Sequence, residues 1–206
     1  MTALRYGARP PDRQRNREIE AVAAPIWSTA VTVVWETDPE VIRAVLPPPL
    51  EPSEPLARVR FATVTMGPDI PVFGAGWFGV RARHGRVEGE YPLFMPMTTE
   101  QATIGGRETF GEPKKIGAVS IDLDGDALVA RFERMGFLLA EVRGTLGAPV
   151  EVPPRDKVDF YFKCSPSPDG KGFDTEPALV HVHRHEEARD GRSIPSSTSR
   201  SDRSSR

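Results

Sequence analysis

The sequence predicts a mainly β fold, an antiparallel β-barrel or a sandwich, with a few short helices. Two observations lead there. The 206 residues include 21 prolines and 18 glycines, dispersed between short apolar runs as tight turns between short strands require. Segment after segment also mixes alternation with β-branched or aromatic residues, the pattern of strands with one covered face. Many strands with few helices is the signature of barrels and sandwiches.

Taken in order, residues 29–35 are dense in Val and Thr and form the first expected strand. Asp38-Pro39-Glu40 then opens a short helix, with Asp38 as N-cap and Pro39 at the first helical position. That helix stops before Pro47-Pro48-Pro49, which cannot continue it. Strands follow over 58–66, 72–83 and 86–97, the last two joined by a turn at His84-Gly85. Thr98 to Ala102 caps a second short helix, which Gly105-Gly106 should weaken. A meander over 118–123, 127–133 and 137–146 turns at Gly125-Asp126 and Met135-Gly136. Strands over 157–164 and 178–185 complete the expectation. The domain therefore spans 25–188, between a polar arm over 1–24 expected to be mobile and a Ser/Arg-rich tail over 189–206 expected to be disordered.

Composition narrows the function classes. Apolar residues make up 38% and charged residues 27%, and the formal net charge is −2, so nothing calls for nucleic acid or an anionic membrane. The Arg-rich ends lack interleaved aromatics and read as solvated. The N-terminal stretch has no apolar secretory core, and no apolar run approaches the roughly 20 residues needed to cross a bilayer, so a cytoplasmic protein is expected. Cys164, the single cysteine, reads as a packing residue in a strand.

The chemistry concentrates in Gly106-Arg107-Glu108-Thr109-Phe110-Gly111-Glu112-Pro113-Lys114-Lys115. Adjacent lysines are ordinarily a solvated surface pair; here an Arg-Glu pair, a glycine and a proline lead directly into them. One use of such a doublet is to free an amine. An ordinary lysine titrates near ~10.4, and bringing it to neutrality takes about 4–5 kcal/mol. An ammonium ~6 Å away supplies about 2.8 kcal/mol at an effective dielectric near 20. Burial would have to supply the rest.

Gly106-Arg107-Glu108 followed by Pro113-Lys114-Lys115 resembles the signature of the acetoacetate decarboxylase family. The likeness covers about residues 26–188. It includes Thr37-Asp38 with Leu46-Pro47-Pro48-Pro49-Leu50-Glu51, Glu54-Pro55-Leu56 with Arg60-Phe61, and Gly89-Glu90-Tyr91 before the helix holding Glu100. Phe160-Tyr161-Phe162-Lys163 before Pro168-Asp169-Gly170 belongs to it as well. The resemblance implies a β-barrel assembled into homo-oligomers and a lyase acting on a small β-keto acid. It implies Lys114 as the Schiff-base nucleophile and Lys115 as the neighbouring cation. It implies no metal or organic cofactor, because the imine itself accepts the electrons as carbon dioxide leaves.

Around this pair, Glu112 is the candidate acid. Arg107 and Glu108 are candidates for substrate binding or, alternatively, a structural ion pair. Trp77 is a candidate wall for the lysine pocket, and Trp27, Trp35 and Trp77 are all expected in the core. Three positions depart from the family pattern: Ser28, Ala62 and Ala75 stand where its decarboxylases carry an arginine and acids. Aldol or dehydration chemistry through the same imine, or a non-catalytic relative, therefore stay open beside decarboxylation. The family's strands continue beyond the segment matching 177–187, so a shortened barrel is expected. Two further patterns have bland readings. His181, His183 and His185 share one strand face, either a solvated face, which is favoured, or a metal site. Gly74-Ala75-Gly76-Trp77-Phe78-Gly79 lies within a strand pattern and reads as close backbone packing rather than a phosphate loop.

Overall fold

The computed structural model of the protein describes residues 26–67 and 70–194. The expected N-terminal arm and residues 195–206 of the expected tail lie outside the described residues. The chain order is β1 (Trp27–Glu36), α1 (Pro39–Val45), β2 (Glu51–Thr65), β3 (Phe73–His84), β4 (Val87–Met97) and α2 (Glu100–Phe110). It continues with β5 (Lys114–Ile116), β6 (Ala118–Asp124), β7 (Ala127–Arg134), β8 (Phe137–Thr145), β9 (Arg155–Lys163) and β10 (Ala178–Glu186). No helix among the described residues is long and apolar enough to cross a membrane.

Local signals translate directly into these elements. The Asp38 carboxylate accepts from the Glu40 amide at 2.8 Å, with Pro39 opening α1. The three expected turns join β3 to β4, β6 to β7 and β7 to β8, and Gly85, Met135, Gly136 and Gly125 all take positive φ there.

The strands form two sheets rather than one closed barrel. The large sheet runs β1-β2-β3-β4-β9-β10, with β5 added to β4, and the small one runs β6-β7-β8. Among the described residues no ladder joins β1 to β10, so the expected closed barrel is corrected to open sheets. Alternation specifies which face of a strand is covered but not which distant strand lies beside its edge, and closure depends on the latter. The two edges still approach: the Arg189 guanidinium, just past β10, lies 3.4 Å from the ring centre of Trp27 on β1.

Residue parity on β2 divides the molecule. Val59 and Phe61, with Val31 of β1, pack against Leu128, Ala130 and Phe132 of the small sheet. The Phe61 and Phe132 rings meet at 4.1 Å between centroids. Gly76 is required for this packing, because a Cβ there would lie 2.5 Å from both the Phe132 ring and Pro96. The alternate residues of β2 face the concave side of the large sheet, where Phe73, Trp77, Met95, Met97 and Tyr161 form a second apolar cluster.

Other expectations are revised. β2 begins at Glu51 and runs through Pro52 and Pro55, with a register shift that absorbs them before Ala57. Trp27 and Trp35 are exposed at the open edge, and of the three tryptophans only Trp77 is buried. Cys164 is exposed just beyond β9. Contacts continue past Arg189: Val150 donates its amide to Gly191, and Ile194 packs on the small-sheet core.

Candidate active site

The site lies where two strands share one edge of β4. Near its end β4 pairs in parallel with β5, Met95 opposite Lys114, while farther back Glu90 pairs in parallel with Asp159 of β9. Met95 belongs to the concave apolar cluster, and paired residues project to one face, so Lys114 emerges beside that cluster. Lys115, the next residue, points to the opposite face and is exposed.

Helix α2 covers this seam. Gly105-Gly106 do not interrupt it, and α2 runs to Phe110. Its N-cap is Thr99, and Gly111 closes it in the left-handed conformation at φ 78°. Gly106 is tolerated because the site needs it. A Cβ there would collide with Glu112 Oε2 and lie 2.6 Å from Lys114 Nζ. The helix thus approaches the lysine more closely than a residue with a Cβ could without moving the Glu112 and Lys114 side chains. Arg107 is exposed and donates from Nη1 to the Lys114 carbonyl at 3.3 Å, tying α2 to β5. Glu108 is exposed on the helix, and no ion pair joins it to Arg107 among the described residues.

Lys114 Nζ lies 2.6 Å from Glu112 Oε2, with side-chain exposures of 15% and 4%. The other Glu112 oxygen accepts from Arg184 Nη2 at 3.0 Å. Arg184, on β10, donates from Nε to Asp159 Oδ2 at 2.7 Å and from Nη2 to the Tyr161 hydroxyl at 3.4 Å. Asp159 continues to Lys157 at 3.4 Å, and Lys157 to Glu186 at 3.3 Å. Glu186 in turn pairs with Arg60 at 3.4 Å and Arg155 at 2.9 Å. One unbroken chain of ion pairs therefore crosses the concave face, holding five cations against three carboxylates.

Burial and charge set the protonation of its members. Burial, then the Asp159 carboxylate, push the Tyr161 hydroxyl well above the usual range, so it remains a donor. Burial opposes the charge on Arg184, but Tyr161 and Asp159 outweigh it and raise its pKa above the ordinary arginine value. Burial would likewise raise Glu186, yet Lys157, Arg60 and Arg155 bring it down to about 2. Trp77 stands over this network, with Arg58 at 5.1 Å and Lys157 at 5.9 Å from its ring centre. Arg58 itself forms a buried ion pair with Glu90.

The structure brings Lys114 and Glu112 together, sets Trp77 on the same concave face, and leaves Arg107, Glu108 and Lys115 outside. Of the three divergent positions, Ala62 and Ala75 sit opposite each other on β2 and β3, and Ser28 accepts a hydrogen bond from Arg60 at 3.1 Å. Sequence reading missed Arg184, Asp159, Tyr161, Lys157 and Glu186. Their signal was the alternation Lys157-Asp159-Tyr161 on β9 and Val180-Val182-Arg184-Glu186 on β10. The histidines occupy the other face of β10, where His181 Nε2 meets His84 Nδ1 at 3.0 Å. No group of three metal-binding side chains forms among the described residues.

Fold and site together define a two-sheet β protein with a carboxylate-paired lysine beneath a glycine-bearing helix. The model of the acetoacetate decarboxylase family matches residues 9–196, and the chain belongs to that family. It is 31% identical over 166 residues to an acetoacetate decarboxylase of Chromobacterium violaceum, covering 73% of this chain and 63% of that protein. It is also 31% identical over 161 residues to acetoacetate decarboxylase 1 of Bradyrhizobium diazoefficiens, covering 73% of this chain and 62% of that one. The chain thus spans a little over three fifths of the length of these curated relatives. The fold resembles the crystal structure of acetoacetate decarboxylase from Legionella pneumophila, with a TM-score of 0.62 at 23% identity over 75% of this chain and 63% of that one. It also resembles the enduracididine biosynthesis enzyme MppR, solved with the condensation product of pyruvate and imidazole 4-carboxaldehyde. There the TM-score is 0.60 at 17% identity, over 77% of this chain and 67% of that one.

Proposed function

We propose that this chain is a cofactor-free lyase that decarboxylates a small β-keto acid through a Schiff base on Lys114. The observation that carries the reading is the Lys114–Glu112 pair, 2.6 Å apart and largely buried against an apolar cluster. Imine formation requires a neutral amine, and a carboxylate in contact with the ammonium is the group that takes its proton. The amine adds to the ketone carbonyl, and the adduct loses water to leave a protonated imine. As the carbon–carboxylate bond breaks, its electron pair moves into the imine, giving an enamine and carbon dioxide. A proton then returns to the carbon, and water releases the ketone and restores the amine. In this reading Glu112 holds that proton, supported by its 2.6 Å contact with Lys114. Lys115 projects away from the site, so in this reading the apolar cluster and α2, rather than the second ammonium, set the environment of the amine.

A second reading keeps the imine and replaces decarboxylation with aldol or dehydration chemistry. Ala62 and Ala75 favour it, since neither can hold a proton where the family resemblance places acids.

Borohydride reduction in the presence of acetoacetate or pyruvate, followed by peptide mass mapping, tests both. A stable adduct on Lys114, absent from Lys114→Ala, is expected. Carbon dioxide release from acetoacetate then separates the two readings. Soluble, folded protein that gives no adduct would overturn both.

A further inference from the structure

Among the cations of the ion-pair chain, Arg184 is the one that shares the carboxylate of the lysine itself. Arg155 places both Nε and Nη2 on Glu186, Arg60 is shared between Glu186 and Ser28, and Lys157 bridges Asp159 and Glu186. Arg184 stands beside the lysine. Its Nε and Nη2 are fixed by Asp159, Glu112 and Tyr161, while Nη1 has no hydrogen-bond partner among the described residues. Its side chain is 38% exposed, although the carboxylates that hold it are 4% exposed or less. It is also bound to the same carboxylate as Lys114, one oxygen each, so a single carboxyl group is all that separates the guanidinium from the amine.

The charge balance points the same way. With the Lys114 proton passed to Glu112, the chain of ion pairs holds four cations against two carboxylates. A substrate carboxylate halves that difference. A guanidinium locked at two nitrogens and open at the third needs little reordering to accept an anion.

We infer that Arg184 is the residue that reads the substrate carboxylate, with Nη1 as the donating group, and that it makes the Lys114 site select keto acids over neutral ketones. This deepens the imine reading and rests on it for the reacting carbonyl, but the carboxylate grip itself requires no imine. Asp159 and Tyr161 act as positioning residues that hold the guanidinium in place.

Two measurements on the full chain test it. The first uses propanoate, which has no carbonyl to trap, with neutral propanamide as its control. Wild-type protein is expected to bind propanoate in preference to propanamide. In Arg184→Gln the propanoate dissociation constant is expected to rise about tenfold or more, the scale of one charge-assisted hydrogen bond. Arg184→Lys keeps the charge without the fork and is expected to recover part of the loss. Near-UV circular dichroism identifies any variant that has simply unfolded, and Arg184→Lys carries the test if Arg184→Gln does not fold. The second compares borohydride trapping of pyruvate with that of acetone. The pyruvate-to-acetone rate ratio is expected to fall about tenfold in Arg184→Gln. Arg184-dependent propanoate binding without any trapping would overturn the imine reading and leave the grip standing. Propanoate binding that is absent from wild type, or indifferent to both Arg184 variants, overturns the grip.

Discussion

Gly106 on α2 and Glu112 on the loop leading into β5 are so close that a side-chain carbon at position 106 would displace the Glu112 carboxylate. The helix therefore serves as the ceiling of the lysine site. Alanine there would raise intrinsic helix propensity by about 1 kcal/mol. It would also push Glu112 and Lys114 aside. Gly106→Ala is expected to keep its far-UV circular dichroism while its borohydride trapping rate falls by about tenfold or more. Trapping at the wild-type rate would show that the close approach is incidental to the chemistry.

Glu112 answers to two cations, so its removal should be felt twice. Glu112→Gln is expected to slow imine formation by about a hundredfold, the lower range for a positioned acid–base group. It is also expected to lower stability by about 1–3 kcal/mol, because Lys114 and Arg184 both lose a charged acceptor. Trapping kinetics and urea unfolding read the two effects separately. A loss of stability with unchanged trapping would reduce Glu112 to a structural role.

Acid should act through Glu186. Its folded pKa of about 2 lies below the ordinary glutamate value near 4.3, so its contribution to stability is complete above about pH 4.5 and is lost as pH falls towards 2. Glu186→Gln, compared with wild type by urea unfolding at pH 6 and pH 3, should show a smaller fall between the two. Equal falls would mean that Lys157, Arg60 and Arg155 do not hold the carboxylate as their placement implies.

The two sheets meet at Phe61 and Phe132, both fully buried. Phe61→Ala is expected to cost about 3–5 kcal/mol by urea unfolding. Phe61→Leu should cost distinctly less, and a difference below ~1 kcal/mol between them would mean that the interface closes around the gap.

How far the sequence foretold this molecule depends on how local each feature is. Asp38-Pro39, His84-Gly85 and Gly125-Asp126 act within a few residues of themselves, and each ended an element where expected. The six-residue spacing from Gly106 to Glu112 was equally visible, but its meaning was not. A glycine pair in a helix reads as weakness until the lysine across from it is known. Arg184 lies 70 residues beyond Lys114 in the chain, and the register of β10 on β9 brings it within reach of Glu112. Alternation placed Arg184 and Glu186 on one face and the histidines on the other, yet nothing in the local pattern says which face turns towards the lysine.

The division of β2 by parity has an implication for how such a chain can change. Val59 and Phe61 hold the two sheets together, while Arg58, Arg60 and Ala62, one residue away in each case, face the concave side. Side chains of the second set point away from the packing of the first. A lineage can therefore vary the concave face at Arg60 and Ala62 without repacking the contact between the two sheets.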